Sequence, residues 1–210
     1  MVSKKIIAVV IVIAVLAVGV GIWANGSAST DDSLNGQEVN LAAAASLKNV
    51  FDEKLIPMFE EKYPGVKVTP TYASSGDIQK QIENGLDADV FMSAGNKQMN
   101  KLVNESLIDN STNIQFLENK VVLIVPKDSD LNISSFEDLK NVDGNIAMGD
   151  PSSVPAGQYG KEVLTNLGVW DSVESKLSLG TDVTAVLNQV AQGSAECGIV
   201  YSTDAKSNDD

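Results

Sequence analysis

Residues 66–92, VKVTPTYASSGDIQKQIENGLDADVFM, set strand, helix and strand in one pass along the chain. Tyr63-Pro64-Gly65 stops whatever precedes, and residues 66–72 then alternate as a strand. Ser75-Gly76 opens a helix over 77–83, with Gly85 just past its end. Ala88-Asp89-Val90-Phe91-Met92 reads as the next strand. Strands alternating with helices at this spacing imply α/β layering around a parallel sheet.

The same grammar continues on both sides. Upstream, residues 38–43 read as a buried strand that runs into Ser46 as N-cap of a helix. That helix carries Leu47, Val50, Phe51, Leu55 and Phe59 at helical spacing, and Pro57 predicts a kink or restart within it. Downstream, a helix over 97–104 precedes a less regular stretch to Asn119. Val121-Val122-Leu123-Ile124-Val125 predicts a strand buried on both faces, closed by Pro126. Ser135-Phe136-Glu137-Asp138-Leu139 is a short capped helix, and a strand over 145–148 stops at Gly149-Asp150-Pro151. A helix from Val154-Pro155-Ala156-Gly157 runs to Leu167 and ends at Gly168. Residues 177–179 form a strand, Asp182 caps a helix over 184–192 ended by Gly193, and residues 197–200 form a last strand. Parallel sheets with helices on both faces result, and two such units in tandem leave a cleft between them.

Composition limits what that cleft can hold. All 15 cationic side chains among the 210 residues are Lys, and there is no Arg and no His. The two-pronged Arg contact with an anion is therefore missing, as are the usual general base and the commonest metal ligand. The single Cys197 allows neither an internal disulfide nor a thiolate metal cluster. A net charge of −13 argues against nucleic-acid binding.

The N-terminus carries Lys4 and Lys5 ahead of an uncharged apolar run at 6–24, then a polar linker. Basic start, apolar run and small residues at Gly26 and Ala28 read, in that order, as an export signal over 1–28 or a membrane anchor through 6–24. Residues 29–36 are the linker. No Cys follows the apolar run, which excludes a lipid-anchored lipoprotein.

Three segments are unusual together: Ala45-Ser46-Leu47, Ala73-Ser74-Ser75-Gly76 and Val154-Pro155-Ala156-Gly157. Each sits where a strand hands over to a helix. The first N–H groups of a helix have no internal partner and carry the positive end of its dipole, so several starts aimed at one point can hold an oxyanion without a charged side chain. Ser46, Ser75, Ala156 and Val183 occupy such turns, and Tyr201 follows the last strand. Any one of them alone reads as an ordinary cap or turn. As a group they offer more bare donors than turns require.

Five segments in order resemble the periplasmic molybdate-binding proteins of ABC importers: Ala43-Ala44-Ala45-Ser46-Leu47, Tyr72-Ala73-Ser74-Ser75-Gly76, Ala88-Asp89-Val90-Phe91-Met92-Ser93-Ala94, Gly149-Asp150-Pro151 with Val154-Pro155-Ala156-Gly157, and Gly198-Ile199-Val200-Tyr201-Ser202-Thr203-Asp204-Ala205. The resemblance covers 39–205. It implies a two-lobed, type II periplasmic-binding-protein-like α/β fold with parallel-rich sheets, lobe 1 at 37–119, lobe 2 at 120–205 and a tail at 206–210. It also implies a tetrahedral oxyanion between the lobes. Ser46 and Ser75 would donate through hydroxyl and N–H, Ala156 and Val183 through N–H, and Tyr201 through its phenol. Molybdenum would enter only inside the oxyanion, with no direct protein ligand and no cofactor. Asp89 and Asp150 match the pattern as turn-fixing groups, since a carboxylate touching the anion would repel it. Members of that family continue for several tens of residues past the Tyr201 segment, so this chain reads as truncated at its C-terminus, with lobe 1 missing its C-terminal part.

The resemblance implies an exported, monomeric solute-binding protein, periplasmic or at the cell surface, that captures molybdate and also tungstate and hands it to an ABC permease. A sulfate or other oxyanion carrier and a membrane-tethered oxyanion sensor are the alternatives. A serine hydrolase using Ser46 or Ser75 lacks a base: there is no His, no Ser-x-x-Lys and no Gly-x-Ser-x-Gly elbow. The expectation is therefore that the chain is not an enzyme.

Overall fold

The computed structural model describes residues 36–208 and, as backbone, residues 8–14. In the first half, β2 (Gln37–Ala44) lies between β3 (Val66–Ala73) and β4 (Val90–Ser93), parallel to both. Successive strand residues face opposite sides. Leu41 and Ala43 pack with Leu47, Phe51 and Ile56, whereas Ala42 packs with Ile78, Phe91, Met99 and Leu102. Both faces are thus covered, which is why β2 reads as a continuous apolar run and not as an alternating one.

Between β2 and β3 the chain passes through a 3₁₀ turn (Ala45–Leu47), α1 (Lys48–Val50), a π-helical turn (Phe51–Leu55) and α2 (Ile56–Lys62). The break expected at Pro57 takes this form. Proline has no N–H for the carbonyl four residues back and its ring crowds that carbonyl, and a widened π turn absorbs both defects. Helices α3 (Ser75–Glu83) and α4 (Asn96–Asn104) follow β3 and β4.

The second half repeats the arrangement. Strand β6 (Ile146–Gly149) runs parallel between β7 (Leu177–Gly180) and β8 (Cys197–Tyr201). Helices α5 (Pro155–Asn166) and α7 (Val183–Ala191) follow β6 and β7; α7 packs into one core, and α5 reaches that core through Ala156 and a second one through Leu164. Two short helices, α6 (Trp170–Val173) and α8 (Ser202–Ala205), were not anticipated. Among the described residues no helix is long and apolar enough to cross a membrane.

The halves are joined by β5 (Asn113–Ile124), antiparallel to β8, in an eight-stranded order β3-β2-β4-β1-β5-β8-β6-β7. Two expectations change here. Of the stretch to Asn119, residues 105–112 are irregular but 113–119 form the first part of β5, and Val121 to Ile124 is half-buried instead of enclosed on both faces. The reason is position: α5 and α7 centre over β6 and β8 and reach little of β5, which is therefore only partly roofed. Strand β1 (Ala8–Ala14) lies antiparallel between β4 and β5. It belongs to the run read as an export signal or anchor, and its AVVIVIA composition suits a strand as well as an apolar helix. The rest of that run lies outside the described residues.

Helix α5 approaches β6 very closely at Gly157, where an added Cβ would stand 1.9 Å from the Gly149 carbonyl oxygen. Backbone cannot yield as a flexible side chain would, so Gly157→Ala is expected to destabilise the fold by about 3 kcal/mol. Urea melts of the purified variant check this; a midpoint equal to that of the parent would contradict the contact.

Candidate functional site

The helix starts of the two halves meet. Ala44, Ala45, Ser46, Ser74, Ser75 and Ala94 from the first half, with Val154, Pro155, Ala156, Asp182, Val183 and Tyr201 from the second, line one small cavity. All five residues expected at an oxyanion site, Ser46, Ser75, Ala156, Val183 and Tyr201, are on its wall. Asp89 and Asp150 are not. The Asp89 carboxylate accepts the Asn40 N–H (2.8 Å) and that of Asp150 accepts the Ser152 N–H (2.8 Å), as groups that fix turns.

Each start leaves a donor over. In α3 the cap is Ser74, whose Oγ accepts the Asp77 N–H (3.1 Å), and the Gly76 N–H goes to the Ser153 carbonyl (3.0 Å). Ser75, the first helical residue, keeps its own N–H for something outside the helix. In α5 no side chain caps the start, and Pro155 has no N–H to satisfy, so Ala156 presents the first one. In α7 the Asp182 carboxylate accepts the Ala185 N–H (2.8 Å), which occupies that carboxylate and leaves the Val183 N–H.

The hydroxyls complete the set. Ser75 is fully buried, and its Oγ accepts the Ala94 N–H (2.9 Å), so its proton is left to donate. Ser46 differs from expectation. Strand β2 runs on to Ala44, so Ser46 lies inside the 3₁₀ turn and caps nothing; its Oγ is buried with no hydrogen-bond partner. A buried hydroxyl left unpaired costs about 1–3 kcal/mol, and such a group marks a place where a partner belongs. Tyr201 is 1% exposed, and its hydroxyl makes a long bond to the Ala94 carbonyl (3.4 Å). Burial foremost, then the nearby Tyr159 and Asp204, push its phenol well above the usual range, so it remains a protonated donor. The remaining lining residues, Ala44, Ala45, Ser74, Ala94, Val154, Pro155 and Asp182, lie within segments or caps legible in the sequence and are not among the five ligand residues.

This chemistry is that of an anion receptor made of neutral donors. It does not provide a nucleophile with a base. Among the described residues no cluster of His, Cys, Asp or Glu could hold a metal. Cys197 is buried in the second core, and burial together with the Glu196 charge pushes its thiol up to about 11, far from the reactive thiolate form.

One ionisable group lies just behind the site. Asp204 is buried, and its Oδ2 accepts the Tyr201 N–H (3.1 Å). Burial raises its carboxyl to about 7; the N–H groups of Tyr201 and Asp204 oppose that shift, and the Asp182 charge adds to it.

Known proteins resemble this chain over most of its length. A family model described as bacterial extracellular solute-binding protein matches residues 39–210. YvgL of Bacillus subtilis, a candidate ABC transporter substrate-binding lipoprotein, is 40% identical over 177 residues, covering 84% of this chain and 67% of YvgL. The molybdate-binding protein ModA of Escherichia coli is 38% identical over 185 residues, covering 86% of this chain and 70% of ModA. Among solved structures, the periplasmic molybdate-binding protein of Azotobacter vinelandii superposes with a TM-score of 0.70 at 26% identity, covering 78% of this chain and 71% of that one.

The Asp204 carboxyl carries a pH signature. With a folded value near 7 and an ordinary value of 3.8, the native state holds a proton between those limits that the unfolded chain has lost. Stability therefore falls as pH rises from about 4 to about 7, by on the order of 4 kcal/mol in total. Asn at 204 can still accept the Tyr201 N–H but carries no charge. Melting temperatures measured from pH 4 to 8 should decline more steeply for the parent than for Asp204→Asn, and parallel curves would contradict the assignment.

Proposed function

We propose, from the premise that this chain belongs to the family of bacterial extracellular solute-binding proteins, that it captures molybdate, and tungstate with it, for an ABC importer. The carrying observation is the buried, partnerless Ser46 Oγ on a wall that also holds the starts of α3, α5 and α7. The N–H groups of Ser46, Ser75, Ala156 and Val183 and the hydroxyls of Ser46, Ser75 and Tyr201 converge on a tetrahedral oxyanion. Molybdenum stays inside that ion, held through its oxygens, and no bond in it is broken. Residues 1–28 direct the chain across the membrane, as a cleaved signal or as an anchor; either role takes Ala8–Ala14 out of the sheet in which they pair with β4 and β5. The binding unit acts as a monomer that delivers its ion to a membrane permease.

Neutral donors suit this task. Ligand and protein are both anionic, so long-range repulsion has to be overcome at short range, where charge-assisted hydrogen bonds in a dry site are strong. Fixed donors also discriminate by size. Set for a larger tetrahedral dianion, they stretch around sulfate, and each lost bond forfeits about 1.5–3 kcal/mol.

Two bonds' worth of mismatch is about 3–6 kcal/mol, or roughly a hundredfold and more in affinity. Calorimetric titration should therefore give molybdate and tungstate at least about a hundredfold over sulfate; equal affinities would remove the molybdate assignment. Ser46→Ala and Ser75→Ala should each weaken molybdate about tenfold or more. Their ligand-free stabilities should differ in sign, because only Ser75 accepts a buried N–H: Ser75→Ala is expected to lose about 1–3 kcal/mol, whereas Ser46→Ala, which removes an unpaired buried hydroxyl, loses none and gains up to about that much. Unaltered binding in both variants would remove the site.

A further inference from the structure

We propose that Gly76, Gln98 and Gln158 form a latch between the two halves that sets how long the oxyanion is held; this rests on the binding reading above. None of the three is a ligand donor in that reading, and each touches the opposite half.

Gly76 stands directly after Ser75. Its N–H, one of the free donors of the first turn of α3, does not turn toward the cavity but crosses to the Ser153 carbonyl at 3.0 Å. An added Cβ would lie 2.4 Å from that oxygen and 2.8 Å from the Ser153 Cα, so only glycine permits the approach. Beside it, α4 meets α5. A Cβ at Gly95 would be 3.0 Å from the Pro155 Cβ, and the Gln98 Nε2 donates to the Gln158 Oε1 at 3.3 Å. The segments that bring ligand donors are therefore the ones that carry the cross-contacts: Ser75 with Gly76, and Ala156 with Pro155 and Gln158. Shutting the latch brings the donors into one cage.

The latch is balanced against itself. The Gly76–Ser153 bond favours the shut form. The glutamine pair opposes it, because the remaining half of each amide, Gln98 Oε1 and Gln158 Nε2, is buried without a partner. Water satisfies both atoms when the halves part, whereas the shut form leaves an acceptor and a donor unmet. A closure held so near balance is decided by the ion, whose bonds to both halves exist only when they are together.

The consequence is kinetic. An ion meets the open form, so the latch should act on release and leave capture nearly untouched. Gly76→Ala, which keeps every ligand donor, should release molybdate at least tenfold faster with an association rate within about twofold of the parent. Gln98→Met with Gln158→Met, which removes the unmet polar atoms at similar length, should slow release severalfold and reduce the compaction that molybdate produces, since the free protein would already be shut.

Stopped-flow tyrosine and tryptophan fluorescence gives both rates, and small-angle X-ray scattering with and without molybdate gives the compaction. A parent protein that does not bind molybdate would remove the functional reading itself. A parent that binds, with Gly76→Ala releasing at the parent rate, overturns the latch alone. If Gly76→Ala shows no cooperative melt, the double methionine variant decides: slower release with less compaction upholds the latch, and parent-like release overturns it.

Discussion

The first turn of a helix has N–H groups that the helix itself cannot satisfy, and everything at this site follows from where those groups are put. In each half a parallel sheet sends its strands' carboxyl ends to one edge, so the helices that follow begin at that edge. The two edges face each other. Four chain segments then present donors across a gap lined by Ala44, Ala94, Val154 and Pro155, whose side chains fill space and carry no polar group.

The local capping decides which donors remain. Ser74 takes the Asp77 N–H, Asp182 takes the Ala185 N–H, and Pro155 has none to give. Each start is partly satisfied from within, and what is left points outward. The Asp182 carboxylate at the wall is instructive. It carries a negative charge, and its bond from the Ala185 N–H ties it to the start of α7. The absence of Arg and His from the chain is thus matched by a site that has no use for either.

The packing around the site is correspondingly tight. The cluster that includes Ala44, Ala94, Ala156, Val183 and Tyr201 contains residues of both halves, so the cavity wall and the contact between the halves are the same atoms. Tyr201 couples them further. It ends β8 in the second half, yet its hydroxyl reaches the Ala94 carbonyl in the first, and its N–H is held by the buried Asp204. A change at any of these positions is therefore felt both in the cavity wall and in how the halves meet.

Much of this was legible in residue order alone. The alternation of strands and helices, the small residues at strand ends, Gly85 and Gly168 after helices and Asp182 before one are local signals, because turn chemistry and helix periodicity act over a few residues. Ser46, Ser75, Ala156, Val183 and Tyr201 could be picked out for the same reason, each belonging to a short segment with its own signature. Other features depended on partners distant in sequence. That Ser74 caps while Ser75 donates, and that Ser46 caps nothing, follows from where β2 and β3 end and from the Ala94 N–H that fixes the Ser75 hydroxyl. The half-burial of Val121 to Ile124 reflects how far α5 and α7 extend over the sheet. The crossing of Gly76 to Ser153 and the half-paired glutamines have no sequence signature. Sequence alone determined the strand-to-helix turns and the neutral chemistry of their donors; tertiary structure decided which donors stay free, because a hydrogen bond is assigned by proximity in space.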